Sequence, residues 1–257
     1  MNMCKRLIAI LSASVLIGLG AYTVTRSQQK GATPEKDEAT VVKVGVMTAQ
    51  QRLHSRLYQS YKGLEKPIRE LIREALAKGQ NDGIFIFTSL GDPIFRPDAN
   101  SGEFNVLERL VCGADAIIIG TVKSRSSQLT EDELYVFTDY ELTVEQVLKD
   151  NPFTQVAPSS VIIVSRPGGK VMIDGYTVSA VDESLKPLSK GGRYPLFLKY
   201  IPATGAYIAS DSQESFELKD ERVIALTDGS GYAKGQQNKQ PDALIGEVRS
   251  AVPSGCK

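Results

Sequence analysis

The sequence predicts an α+β protein with one membrane-spanning segment near its amino end. Three observations indicate this class: an uncharged run from Leu7 to Thr25, two amphipathic helical patterns within residues 48–79, and a series of short extended segments from Ala116 to Leu226. Short strands separated by turn residues are typical of an antiparallel barrel or sandwich rather than a βαβ fold. Two long opening strands followed by shorter ones favour a small OB-like barrel.

The uncharged run is long enough to stay in a bilayer. A helix rises about 1.5 Å per residue, so Leu7 to Thr25 spans close to the roughly 30 Å of hydrocarbon. Cleaved secretory signals have shorter apolar cores, so residues 1–25 are predicted as an uncleaved signal anchor, with a cleaved signal as the alternative. Lys5 and Arg6 precede the run, which favours a cytoplasmic amino end. We expect a single-pass inner-membrane protein whose remainder is extracytoplasmic (periplasmic), or secreted if the signal is cleaved.

Composition limits the partners. Thirty Lys plus Arg balance thirty Asp plus Glu, so no net positive field favours nucleic acid. The expected partners are the membrane, through the amino-terminal helix, and an envelope protein or glycan. No C-x-x-C, H-E-x-x-H or EF-hand pattern occurs, so neither a metal nor another cofactor is expected. Residues 26–47 are predicted as a flexible linker, of which the polar part, residues 26–40, has a root-mean-square reach of about 20 Å.

Residues 48–112 are predicted as a helical subdomain that contains an α-hairpin. Thr48 and Gln51 form a capping box before a first helix. Its apolar face is expected to consist of Leu53, Leu57, Tyr58, Tyr61 and Leu64. Pro67 begins a second helix, which Gly79 ends, with Ile68, Leu71, Ile72, Ala75 and Leu76 on its apolar face. A strand over 84–88 and a short helix ending at Cys112 follow.

Residues 113–227 are predicted as the β domain. Ala116 to Val122 reads as a strand buried on both faces, and Leu134 to Leu148 as a strand of alternating pattern. The polar stretch Lys123 to Glu133 is expected to connect them as a long hairpin. Asp174-Gly175 between two apolar runs predicts a tight hairpin turn.

Residues 228–257 are predicted as a mobile loop followed by a last helix. The loop covers Gly229 to Gln240, and Pro241 opens the helix. Leu244, Ile245 and Val248 form the expected apolar side of this helix.

The cysteines indicate one crosslink. Cys4 precedes the apolar run and is expected to be a free cytoplasmic thiol. Cys112 and Cys256 are the pair beyond the predicted membrane segment, in a compartment that can oxidise them. A disulfide between them is predicted, with two unpaired thiols as the alternative.

Several strings within residues 112–227 resemble an uncharacterised family of exported bacterial β-domain proteins. The strings are Ala114 to Val122, Phe137 to Lys149, Arg166 to Gly169, and Gly192 to Leu198. In outline the region is similar to the OB-like barrel of netrin and metalloprotease-inhibitor modules. The inhibitors insert a free amino-terminal cysteine into the protease, whereas this chain begins with a predicted membrane segment. The resemblance therefore implies a fold and no activity.

Candidate chemistry is sparse, and no catalytic residue is assigned. His54 is the only histidine, and we expect it to be structural or on the surface. Asp139 and Glu141 share one face of a strand, and with Asp182-Glu183 they are the visible acid pairs for a hydrolase. Solvated surface carboxylates are the alternative for both pairs.

Arg166, Gly168, Gly169 and Tyr176 are candidate binding residues. The guanidinium and the glycine N–H groups could hold an anion, and a plain turn is the alternative. The sequence thus predicts a non-catalytic, membrane-tethered binding or interaction module of unknown ligand. A carboxylate-dependent cell-envelope hydrolase and a structural envelope protein are the alternatives.

Overall fold

A computed structural model describes residues 40–41, 47–59, 64–80, 83–87, 106–181, 186–209, 215–226 and 231–252. The helices are α1 (Ala49–Gln59), α2 (Ile68–Ala77), α3 (Val106–Gly113), α4 (Gly231–Gln236) and α5 (Pro241–Ala251). The strands are β1 (Thr40–Val41), β2 (Ile84–Phe87), β3 (Ala116–Leu129), β4 (Val136–Lys149), β5 (Val161–Pro167), β6 (Gly169–Ile173), β7 (Tyr176–Val181), β8 (Arg193–Ile201), β9 (Ala206–Ala209), β10 (Phe216–Lys219) and β11 (Arg222–Ala225). The α+β class is confirmed.

Five strands close a barrel in the order β3-β4-β5-β9-β8. β3 pairs antiparallel with both β4 and β8, which closes the ring, and β5 pairs parallel with β9. Alternate side chains fill the interior, so Tyr140, Leu142 and Val144 of β4 are all buried there. Ile117 and Ile119 of β3 face the opposite way into a second buried cluster, which confirms burial of this strand on both faces.

The long hairpin differs from its prediction at the polar stretch Lys123 to Glu133. β3 continues to Leu129, and only residues 130–135 form the connection. Cross-strand polar contacts take the place of apolar ones here: the hydroxyls of Ser127 and Thr138 lie 2.8 Å apart in the buried part of the hairpin. The prediction of a loop over these residues was wrong because it relied on their lack of apolar side chains. The residues form a strand because their backbone groups pair with those of β4.

A second sheet has the order β1-β6-β7-β2. Asp174 and Gly175 have φ values of 51° and 83°, so the predicted β6–β7 turn is confirmed. α2 packs in the same cluster as the sheet through Ile68, Ile72 and Ala75. Leu76, placed on the apolar face by sequence, is 48% exposed.

α3 and the two carboxyl-terminal helices pack on the outer face of β3 and β8. α3, α4 and α5 bury side chains with the β10–β11 hairpin and with Ile117, Ile119 and Phe197. α5 begins at Pro241 and buries Leu244, Ile245 and Val248, as predicted.

The predicted mobile loop is wrong for residues 231–236, which form α4. Ala233 is fully buried, and Tyr232 packs edge-on against Phe216 at 6.1 Å. These two contacts hold the segment on the barrel, and they could not be predicted from its composition.

The predicted membrane segment, Leu7 to Thr25, lies outside the described residues, as do Cys256 and the acid pair Asp182-Glu183. Among the residues that are described, no helix is long and apolar enough to cross a membrane.

Candidate functional site

The first candidate site is a buried histidine–carboxylate pair on the outer face of β4. α1 begins at the predicted capping box, where Thr48 N donates to Gln51 Oε1 at 2.8 Å and Gln51 N donates to Thr48 Oγ1 at 3.1 Å. One turn later, His54 Nδ1 lies 2.9 Å from each carboxylate oxygen of Asp139. The His54 side chain is 0% exposed and that of Asp139 is 11% exposed, so the pair is removed from water.

Further contacts fix α1 across this face of the barrel. Tyr58 stacks on Tyr135 at 5.6 Å and on Phe137 at 5.2 Å. Ser55 Oγ accepts a hydrogen bond from Glu131 N, in the β3–β4 connection, at 2.8 Å. At the other end of α1, Gln50 Nε2 donates to the carbonyl of Thr204, in the β8–β9 turn, at 3.2 Å. The helix therefore crosses the barrel from one turn to the other.

The buried face of α1 differs from the prediction. His54, Ser55 and Tyr58 are buried, whereas Leu53 and Leu57 are only partly buried. The expectation for His54 allowed a surface position, and the structure instead buries it. The available signal was the spacing of His54 and Tyr58, four residues apart on one helix face, together with the presence of a single histidine.

Ser165 completes a serine, histidine and acid grouping beneath α1. It pairs directly with Asp139 across the β4–β5 ladder, so the two side chains share one face. Ser165 is fully buried, and neither its Oγ nor His54 Nε2 has a hydrogen-bond partner within the described chain. A nucleophile must be hydrogen-bonded to its base and reach its substrate. This group meets neither condition, because no hydrogen bond joins Ser165 to His54 and both side chains are fully buried.

The predicted acid pair is also divided. Asp139 is held by His54, whereas Glu141 is exposed and its carboxylate accepts a hydrogen bond from Ser124 Oγ at 2.8 Å. One carboxylate thus holds a helix and the other lies in solvent.

The predicted binding residues lie in two places. Arg166, Gly168 and Gly169 meet where β5 passes into β6, and Tyr176 lies in the second sheet. Arg166 is 2% exposed and its Nη1 donates to the carbonyl of Lys186 at 3.3 Å. Tyr176 is 7% exposed and its hydroxyl donates to the carbonyl of Gln80 at 2.7 Å.

The two glycines make close backbone contacts with the β3–β4 hairpin. Gly168 N donates to the carbonyl of Val136 at 2.8 Å, and the Gly168 carbonyl accepts from Thr138 Oγ1 at 2.7 Å. Gly169 has φ of 144°, and a Cβ there would overlap the hydroxyl oxygens of Thr138 and Ser127. An anion at this turn remains a prediction.

The second candidate site is the loop between β4 and β5, which sequence reasoning passed over. Asp150 Oδ1 accepts from the backbone of Asn151 at 2.8 Å and of Val156 at 3.0 Å. Asn151 Oδ1 accepts from Phe153 N at 2.9 Å, and its Nδ2 donates to the hydroxyl of Tyr207 at 2.9 Å. These bonds hold the loop against the end of the barrel.

The same loop displays an aromatic ring. Phe153 is 67% exposed and stacks on Tyr200 with ring centroids 6.1 Å apart and an interplanar angle of 16°. Tyr200 in turn lies 5.3 Å from Tyr207, which belongs to the barrel core. We call Tyr200 and the exposed loop residues 152–155 and 157–159 the barrel-end surface. The available signal was a sequence of ten residues, 151–160, that contains two prolines, a phenylalanine and no charge.

Two lysines hold the carboxyl end of α3 against the barrel, and one of them, Lys199, donates from Nζ to the carbonyl of Gly113 at 3.4 Å. Lys149 Nζ donates to the carbonyls of Val111 at 2.9 Å and Ala114 at 2.7 Å. Burial, with a smaller effect of the nearby ammonium group of Lys199, lowers the pKa of Lys149. Cations are favourable at a helix carboxyl terminus, where the free carbonyls and the helix dipole present negative charge.

Cys112 lies in this last turn of α3 and is disulfide-bonded. Its partner lies outside the described residues, so pairing with Cys256 remains a prediction.

Within the described part of the chain, no group of three or more His, Cys, Asp or Glu side chains is arranged to hold a metal ion. No family model matches the sequence, and a search of curated proteins found no match.

Proposed function

We propose that this chain is a membrane-tethered, extracytoplasmic binding or interaction module without catalytic activity, built on an OB-like barrel. The strand order β3-β4-β5-β9-β8 supports the barrel type, because OB-folds are five-stranded Greek-key barrels. The run from Leu7 to Thr25 supports the inner-membrane tether. The resemblance of residues 112–227 to exported β-domain proteins agrees with this placement.

The disulfide supports the extracytoplasmic location, because such bonds persist in oxidising compartments. Cys256 is the predicted partner of Cys112. α3 and α5 bury residues in one cluster, and α5 ends at Ala251, five residues before Cys256. The chain thus passes close to Cys112 shortly before its second extracytoplasmic cysteine.

The observation that carries the binding function is the display of Phe153. On the outer face of the barrel, which OB-folds commonly use for binding, α1 lies over Asp139 of β4, where His54 binds the carboxylate. The barrel-end surface instead exposes a phenylalanine ring that, on full burial against a partner, would contribute about 2 kcal/mol. Because Asp150 and Asn151 already hold the loop, little conformational entropy is lost on contact.

The absence of catalysis is supported by the arrangement of the two acids. Asp139 binds a buried histidine, and Glu141 lies in solvent without a second acid shown beside it. Glycosidase-type chemistry needs two carboxylates that flank a substrate.

Photochemical crosslinking tests the proposal. Phe153 is replaced by p-benzoylphenylalanine in the full chain, expressed in cells and irradiated, with the same replacement at Leu76 as a control at a second exposed apolar position. We expect adducts with an envelope component at position 153 that are absent at position 76. Equal, background-level adducts at both positions would refute the barrel-end surface as a binding surface.

A further inference from the structure

We infer that the barrel-end surface contacts the lipid bilayer itself, with Phe153 at the boundary between headgroups and acyl chains. The inference rests on the proposed function, because it requires the domain to be held beside a membrane. Three properties of the loop carry it: its lack of charge, the state of its backbone N–H groups, and its reach from the predicted tether.

The loop and the strand that follows it carry no charged side chain from Asn151 to Ser165. In this segment Phe153 is 67% exposed and Val161 is 52% exposed. Charged groups are costly to bring into a membrane, whereas aromatic rings favour its interface. Protein–protein hot spots, in contrast, are enriched in arginine as well as in aromatic residues. The composition of this surface therefore matches lipid better than protein.

Most backbone N–H groups of the loop are already hydrogen-bonded within the protein and do not need water. Among residues 151–160, the N–H groups of Asn151, Phe153, Val156, Ser159 and Ser160 are hydrogen-bonded within the protein. Positions 152 and 158 are prolines, which have no N–H. Unpaired backbone groups are the main obstacle to placing a loop near hydrocarbon. Five of the eight N–H groups in this segment are therefore paired, and those of Thr154, Gln155 and Ala157 remain.

The predicted tether is long enough for the contact. The predicted tether ends at β1, which pairs with β6. The 14 residues of β4 separate the end of the barrel nearer β6 from the loop that carries Phe153. A strand of that length spans about 46 Å, and a tilt of about 40° in a barrel reduces its axial length to about 35 Å. The loop folds back along β4, since Ser159 N donates to the carbonyl of Val144, so the distance to Phe153 is less than this length. Residues 26–39 extend to at most about 48 Å when fully stretched, compared with the root-mean-square reach of about 20 Å, so the contact requires an extended tether. The sequence length therefore permits Phe153 to reach the membrane that holds the amino-terminal segment.

The natural chain contains no tryptophan, which gives a direct test. The full chain carrying Phe153→Trp is reconstituted in phosphatidylcholine vesicles, and its fluorescence is compared with vesicles of brominated phosphatidylcholine. Leu76→Trp is the matched control. An interfacial helix or side chain buries about 5–10 Å deep, so we expect bromine to quench Phe153→Trp at least about twofold more than Leu76→Trp. Because the loop is neutral, added phosphatidylglycerol should leave the quenching unchanged.

The outcomes separate this inference from the proposed function. Flotation of the reconstituted chain with vesicles after alkaline carbonate washing reports the tether independently. If the chain floats and bromine quenches both variants equally, the lipid contact is refuted while the tethered module stands. If the chain does not float and position 153 gives no adduct in cells, the proposed function fails. Quenching at position 153 that requires anionic lipid would also refute a neutral insertion.

Discussion

The His54–Asp139 pair gives the sharpest prediction, because it is the principal polar contact by which α1 is held. In Asp139→Ala, the imidazole keeps its 0% exposure and loses the carboxylate that lies 2.9 Å from Nδ1. A hydrogen bond to a charged group contributes about 1.5–3 kcal/mol, and breaking a buried pair by removing one partner costs about 3–5 kcal/mol. Since the Asp139 side chain retains 11% exposure, we expect a loss of about 3 kcal/mol.

Asp139→Asn keeps an acceptor oxygen and removes the charge, so a smaller loss of about 1–2 kcal/mol is expected. Urea unfolding of the reconstituted chain measures the change. Hydrogen exchange of the α1 amides shows whether the helix opens before the barrel unfolds. Glu141→Ala is the matched control, because it removes a carboxylate two residues along β4 that lies in solvent. An exposed substitution should change stability by less than about 0.5 kcal/mol.

Equal stability of Asp139→Ala and Glu141→Ala would refute the reasoning. A double variant, His54→Ala with Asp139→Ala, provides a second check. Removing both partners leaves neither member of the pair buried without the other, so the double variant should lose less stability than the sum of the two single variants.

The remaining predictions concern the barrel and its crosslink. Gly169→Ala should lose at least about 2 kcal/mol more than Gly175→Ala, because both positions have positive φ but only at Gly169 would a Cβ meet buried hydroxyls; urea unfolding compares them. Tyr194→Phe should lose about 1–2 kcal/mol, because the N–H of Ser189 donates to the Tyr194 hydroxyl at 2.8 Å and would lose its acceptor. Burial disfavours the ionised phenol and raises the pKa of Tyr194 above 10.0, so the folded natural chain loses stability as the pH rises above 10.0 and through the raised value. Tyr194→Phe has no group that ionises there, so the difference in unfolding free energy between the two proteins should be smaller above pH 10 than at pH 8. Cys256→Ser should lose about 4 kcal/mol on the chain-entropy model if Cys256 is the partner, and peptide mapping without reduction identifies the pair.

Local signals in the sequence were sufficient for elements whose determinants are close together in the chain. The Thr48–Gln51 capping box, the Asp174-Gly175 turn and Pro241 at the start of α5 depend on contacts within a few residues, and each is present in the structure. The closed ring of strands follows less directly. Its pairing of β3 with β8 joins residues about 75 positions apart, and short-range periodicity carries no information on such pairs.

The face of α1 shows where this reasoning fails. Counting apolar residues correctly selected Tyr58, which is buried and stacks on Tyr135 and Phe137. It also selected Leu53 and Leu57 and passed over His54, because the helix sequence does not show that Asp139 lies beneath it. The partner of His54 lies 85 residues away. The buried face of such a helix cannot be predicted from its own hydrophobicity. The contacts that stabilise it join a residue of the helix to a residue of another element, and the helix sequence contains only the first of the two.

Both candidate sites depend on β4, but a mutation at one site should not affect the other. Asp139 lies next to Tyr140 on β4, and Tyr200, on which Phe153 stacks, is in register with Tyr140 through Tyr207 and Val164, three strand spacings or about 14 Å away. Sites that far apart without shared partners act additively. Loosening α1 by Asp139→Asn should therefore leave the bromine quenching of Phe153→Trp unchanged. A loss of quenching in the combined variant would mean that α1 supports the whole barrel, and the histidine pair would then be part of the core rather than a local attachment of one helix.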